Sequence, residues 1–233
     1  MVRSLAMRLA VGLVLLAGFA SSAAAQQTTA AQQPAAAPQP VPIQHNDLLP
    51  PFVIDVRGAI ARLGEDATTA ADLNLASAQL PGTGIGGAVA INVYPLRRKK
   101  MSLGIGGEGV LTRATSTVTD TTGAVTGPRI ERRFEGVSGT FSLNFGHRQG
   151  WSYVSVGGGP LRFQTFAGDV PLEAAPFEFT PNFGAGARWF TNEHIAFCFD
   201  LRFYQTKPVD ATLTSPGRGR ARVLVISAGI AIK

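Results

Sequence analysis

Over residues 177–204 every second side chain changes character, and that rhythm admits few folds. Ile195, Phe197, Phe199, Leu201 and Phe203 share one parity, while Ala196, Cys198, Asp200, Arg202 and Tyr204 share the other. A strand, whose side chains point alternately to opposite faces, has this period; a helix does not. Upstream, Phe177, Phe179, Phe183, Ala185, Ala187 and Trp189 alternate with Glu178, Thr180, Asn182, Gly184, Gly186 and Arg188, and Thr191-Asn192-Glu193 supplies a turn between the two halves. The stretch predicts a tight antiparallel hairpin. Each arm has about 10 residues, roughly what a tilted strand needs to cross a bilayer's hydrocarbon core.

The start of the chain reads as an export signal. Arg3 and Arg8 give a positive beginning, residues 9–20 an apolar run, and Ala23-Ala24-Ala25 a small-residue cleavage site before Gln26, which assigns residues 1–25 to a signal peptide. The run falls short of the ~20 residues that a membrane-spanning helix requires. Residues 26–50 are mostly Ala, Gln and Pro, with little to bury, and are expected to be a disordered linker in the periplasm. Residues 51–233 then form one domain of ordinary size. Cys198 is the only cysteine, so no internal disulfide holds it.

The chain has 21 basic and 15 acidic residues; removing Arg3 and Arg8 leaves 19 against 15, a net of +4. This surplus is too small to suggest nucleic acid as a partner. Basic residues gather instead at predicted turns and loops, where they suit anionic lipid head groups.

Alternation places strands at residues 52–62, 84–95, 101–112, 133–145, 151–164, 177–189, 195–204 and 222–232, with no competing amphipathic helix. The connections alternate in length. Short turns are expected at 96–100, 146–150 and 190–194, and long loops at 63–83, 113–131, 165–176 and 205–219. An even number of strands joined alternately by short turns and long loops, behind a signal peptide, is the pattern of a bacterial outer-membrane barrel with its turns in the periplasm.

In this architecture residues 52–232 resemble the small eight-stranded outer-membrane barrels of the OmpA and OmpX type. The resemblance implies an eight-stranded antiparallel up-and-down transmembrane β-barrel, inserted by the barrel-insertion machinery and monomeric. It also implies a non-enzymatic role in envelope structure or surface contact, with at most a narrow pore. The chain departs from the pattern at its end, Ile230-Ala231-Ile232-Lys233, where such barrels usually carry an aromatic residue.

The polar face indicates which side points inward. It carries Gly86, Ala88, Ala90, Asn92, Gly104, Gly106, Ser138, Thr140, Ser142, Asn144, Ser227 and Gly229, with no lysine. Such small residues fit the narrow lumen of an eight-stranded barrel, whereas a water-facing surface would be rich in Lys and Glu. The charges on that face balance: Asp55, Glu108, Glu178 and Asp200 against Arg57, Arg162, Arg188 and Arg202. Confinement requires them to pair, because an unpaired buried charge costs several kcal/mol. Arg162 with Glu178, and Asp200 with Arg202, are the expected neighbours. The competing reading is a soluble periplasmic barrel of the lipocalin kind, with its apolar face turned inward around a small ligand.

Aromatic residues are expected in two belts, Phe145, Trp151 and Trp189 beside the turns and Phe163, Phe177, Phe179 and Phe203 toward the loops. Two G-x-G-x-x-G matches, at Gly82-Gly84-Gly87 and Gly104-Gly106-Gly109, run into alternating strand sequence; a dinucleotide site would need a helix there. Gly157-Gly158-Gly159 predicts a kink or room for a bulky neighbour across the lumen. His45, His147 and His194 have no serine or carboxylate convergent on them, so neither catalysis nor a metal or other cofactor is expected. At the outer rim, Arg129, Arg132, Arg133, Arg218, Arg220 and Arg222 are candidate contacts for lipopolysaccharide phosphates.

Overall fold

Eight long strands close into a ring because the two-residue rhythm persists along each of them. The computed structural model describes residues 49–233, apart from 65–66, 74, 76–78, 99, 120–121, 173–174 and 209–218. Its elements are β1 (Phe52–Leu63), α1 (Ala67–Asp72), β2 (Thr83–Arg97), β3 (Met101–Thr119), β4 (Val125–His147), β5 (Gly150–Ala167), the two-residue β6 (Val170–Pro171), β7 (Glu178–Phe190), β8 (Ile195–Gln205) and β9 (Arg222–Ile232). Every pairing is antiparallel. Each long strand pairs with its neighbours in sequence, β6 folds back on the end of β5, and β1 pairs with β9 to complete the barrel. Closure leaves no sheet edge, which is what allows a sheet to stand in hydrocarbon.

The two faces differ as a membrane demands. Outward residues are large and apolar, among them Ile85 at 73% exposure and Phe141 and Phe197 at 63%, and a continuous band of this kind has no place on a soluble protein. Inward residues are small or polar side chains, paired charges and two clusters of packed apolar and aromatic side chains. The barrel therefore spans a membrane, and the soluble reading with an apolar ligand cavity fails because the apolar face points out.

One wall is taller than the rest. Strands were expected to stop near residue 112 and resume at 133, yet β3 and β4 stay paired as far as Thr119 and Val125. Thr115, Thr117, Val118 and Thr119 are β-branched, so the segment expected to be a loop keeps the backbone preference of a strand. The first loop also holds a turn of helix, α1, that alternation does not reveal. Ala70 of α1 packs with Leu73, Leu75 and Leu80 against Val118, Ile130 and Ala167, forming a small apolar cap on the tall hairpin.

At the other end, residues that composition assigns to the linker are packed into the barrel. Leu49 is buried against Val53, Tyr94 and Trp151. Its carbonyl accepts a hydrogen bond from Arg97 Nη1 at 3.1 Å, and Tyr94 N–H donates to the Pro51 carbonyl at 2.9 Å. Leu49 and Pro50 thus belong to the barrel and not to the linker. The signal peptide and residues 26–48 of the linker lie outside the described residues.

Strand β5 reverses an expected face. Trp151 and Phe163, assigned to the outer belts, are buried inside, and Arg162 faces outward with Val154 and Val156. The reason is that both parities of the strand's first half carry large apolar residues, Trp151 and Tyr153 on one and Val154 and Val156 on the other, so alternation alone does not choose the inward face. Trp151 fills the turn end of the lumen, stacked on Phe190 at 5.3 Å and edge-on to Tyr94 at 5.8 Å. Inward glycines make the room, Gly104 against the Tyr94 ring and Gly186 against Tyr153. Gly158 does accommodate a bulky neighbour, but it is Phe179 on the lipid face and not a residue across the lumen. Phe145 and Trp189 at the turn end, and Phe177, Phe179 and Phe203 at the loop end, are exposed outward.

Candidate functional site

The lumen is filled in three layers. At the loop end Phe134, Leu161, Phe163, Tyr204, Val223 and Val225 belong to one apolar cluster, and at the turn end Leu49, Val53, Tyr94, Trp151 and Tyr153 belong to another. Between them lies a layer of three arginines and three carboxylates, contributed by β1 (Asp55, Arg57), β3 (Glu108), β7 (Arg188) and β8 (Asp200, Arg202).

Each charge in this layer has a named partner. Arg188 grips Asp55 with two parallel bonds, Nε to Oδ1 at 2.9 Å and Nη2 to Oδ2 at 2.5 Å. Its guanidinium stands over the Tyr153 ring, 4.6 Å from the centroid. Arg57 bridges Glu108 and Asp200, the latter at 3.3 Å, and donates to Ser227 Oγ at 3.1 Å. Arg202 reaches Glu108 at 3.3 Å and Asp200 at 3.2 Å, and donates to Asn182 Oδ1 at 2.9 Å and Ser155 Oγ at 3.3 Å. Tyr153 donates its hydroxyl to Asp200 at 2.7 Å, and Tyr204 donates to Glu108 at 2.6 Å. The layer is neutral overall and encloses a cavity of about 10 Å3, the lower limit for holding a single water. Glu108 and Asp200 are each held by two arginines and a tyrosine, and Asp55 is gripped at both oxygens by Arg188, so none of the three is a free base or ligand.

Two of the eight charges assigned to the lumen stand apart from this layer. Arg162 lies on the outer face, bonded to Glu135 with its Nε at 3.0 Å from Oε1, and its guanidinium covers the Phe177 ring at 4.8 Å. Glu178 pairs in register with Leu161, so Arg162, one residue further along, points to the other side of the sheet from it. The expected Arg162–Glu178 pair is therefore absent. The tyrosines and Trp151 were missed as lumen residues. Tyr204 carried a usable signal, since it shares parity with Asp200 and Arg202, whereas Tyr153 sits on a strand with apolar residues on both parities.

The outer rim also differs from expectation. Arg132 is buried; its guanidinium donates to the Gly64 carbonyl at 3.1 Å and the Pro81 carbonyl at 3.4 Å and lies 4.7 Å from the centre of the Phe163 ring. It secures the first loop and cannot reach a lipid. Arg129, Arg220 and Arg222 are exposed, Arg133 is half-buried, and Arg218 lies outside the described residues. On the outward face Glu131 bonds both Arg113, at 3.0 Å, and Arg133, whose guanidinium covers the Phe166 ring at 4.6 Å. Arg113 and Arg162 were not counted as rim residues. Their position shows only once the tall wall is seen to continue above the apolar band.

His147 and His194 lie at the turn end, away from the loops, and no cluster of metal-ligating side chains exists among the described residues. Lys233 places its ammonium 3.9 Å from the Phe190 ring centre at the same end.

An apolar exterior around a charged, packed interior defines a membrane-spanning antiparallel β-barrel with a closed lumen. Among solved structures the chain is similar to Neisserial surface protein A, at 12% identity and a TM-score of 0.42 over 79% of this chain and 97% of that one. It is also similar to Ail, the attachment invasion locus protein of Yersinia pestis, in complex with the heparin analogue sucrose octasulfate, at 15% identity and a TM-score of 0.41 over 77% and 97%. Outer membrane protease OmpT from Escherichia coli is matched at 6% identity and a TM-score of 0.38 over 78% and 96%. No protein-family profile and no curated protein sequence matches the chain.

Proposed function

We propose that the protein is a monomeric, non-enzymatic barrel of the bacterial outer membrane, placed there by the barrel-insertion machinery, with its turns and linker in the periplasm. Its work is done at the outer surface, where it presents the tall β3–β4 hairpin and its cap for structural or adhesive contact. The observation that carries this reading is the three-layer filling of the lumen. A conduit needs water along its axis, and here two apolar layers enclose a neutral, fully paired one. The saturated carboxylates and the histidines at the turn end favour a non-enzymatic role. The test is conductance of the purified, heat-modifiable protein in planar bilayers. Flat current traces are expected; reproducible ohmic steps would overturn the reading and make the charged layer a filter.

A further inference from the structure

We propose that the outer face of β3, β4 and β5 is a seat for one lipid A molecule, its phosphates held by Arg113, Arg133 and Arg162 and its acyl chains running down to a notch at Gly107 and Gly139. The proposal rests on the outer-membrane orientation given above and adds a partner to it.

The three strands form a ladder whose outward rungs follow from the register. Rising from the turn end, they include Leu103–Leu143–Val154, Ile105–Phe141–Val156, Gly107–Gly139–Gly158, then the pair Gly109–Val137, then Leu111–Glu135–Arg162 and Arg113–Arg133–Gln164. On the third rung all three adjacent outward positions lack a side chain; the Phe179 ring covers Gly158, which leaves Gly107 and Gly139 as the open floor. A groove of about 600 Å3 opens there, walled by Ile54, Ile91, Val137 and Pro160. Gly107 and Arg113 are six residues apart, roughly 20 Å along a strand and roughly 15 Å along the membrane normal at the tilt usual in such barrels. That is about half of a ~30 Å hydrocarbon core. With the glycine rung at mid-membrane the arginine rungs stand at the head groups, so one lipid spans the distance between them.

Charge complementarity selects the occupant. The arginines are partly engaged, Arg113 and Arg133 with Glu131 and Arg162 with Glu135. The bonds of Arg113 and Arg133 to Glu131 use Nε, which leaves their terminal nitrogens available, and the Arg113 side chain is 53% exposed. Three arginines against two glutamates leave a positive surplus, to which exposed Arg129 adds. The cations spread over three strands, roughly 10 Å across at the usual strand spacing. That breadth matches a head group with more than one phosphate better than the single phosphate of a glycerophospholipid. Arginine forks bind such oxygens in pairs.

The experiment is native mass spectrometry of the detergent-purified protein titrated with lipid A or with phosphatidylglycerol. Lipid A is expected to bind about tenfold more tightly, a difference of about 1.4 kcal/mol. The triple variant R113Q/R133Q/R162Q should bring the two lipids level. The variant G107L/G139L should weaken lipid A several-fold while keeping the heat-induced gel shift, because a Cβ at these glycines meets no atom nearer than 3.9 Å and 4.0 Å. Equal retention of both lipids by the natural protein overturns the seat. So does lipid A binding that either variant leaves unchanged, or a dimer that depends on Gly107, which would make the notch an interface between copies. A protein that never shows the gel shift would instead fail the barrel reading itself, and the two failures are distinguishable.

Discussion

The same ion pair, arginine with carboxylate, occurs at two heights in this barrel and does two different things. In the lumen Arg188 and Asp55 are 3% and 1% exposed at the side chain; at the rim Arg113 is 53% exposed beside Glu131. Water has been removed from the first pair, so its partners are held by low-dielectric attraction and by neighbours such as Tyr153, and neither can lose the other cheaply. At the rim only the carboxylate is covered, Glu131 being 11% exposed at the side chain, and the arginine keeps its water and stays available to a third party. Residue type thus says little about role here; depth in the barrel decides it.

The sharpest break of this comparison is Asp55→Ala, which strands the Arg188 guanidinium in the lumen. A loss of about 3–5 kcal/mol is expected from urea unfolding in lipid vesicles. The double variant Asp55→Leu/Arg188→Met should lose less than the single one, since apolar side chains of similar size replace a whole buried pair at little cost. If the single variant matched the wild type, the layer would have to be solvated. A smaller effect belongs to Tyr153→Phe, which removes the hydroxyl bond to Asp200 and should cost about 1.5–3 kcal/mol in the same assay. Smallest is Arg113→Gln at the rim, expected to change stability by less than about 1 kcal/mol. A loss equal to that of Asp55→Ala would erase the distinction between the two heights.

The sequence could be read for the architecture and for the lumen charges of β1, β3, β7 and β8, because each of those strands keeps one uninterrupted parity. Asp200, Arg202 and Tyr204 stand on one face at spacings of two, and no other arrangement of β8 brings them together. The face of β5 was not readable in this way. Val154 with Val156 against Trp151 with Tyr153 gives two apolar sets on opposite parities, and choosing the wrong one inverts the whole strand. Packing decides between them: the Tyr153 phenol lies over Gly186 and the neighbouring Tyr94 ring over Gly104, a relation between distant residues that a single strand cannot display. The tall wall escaped for another reason. Thr-rich sequence suits a polar loop and a water-exposed strand equally well, and only the partner strand beside it makes it a ladder.

Leu49 gives the barrel a mechanical character. The chain enters the domain through a side chain held among Val53, Tyr94 and Trp151, and through a carbonyl fastened to Arg97. Tension arriving from the preceding residues meets this anchor before it meets the β1–β9 seam. The load therefore acts first as a pull on a packed plug and not as a peeling force that opens the seam one hydrogen bond at a time. A barrel anchored in this way resists a pull on the start of its first strand by packing, as a knotted cord resists being drawn through a ring.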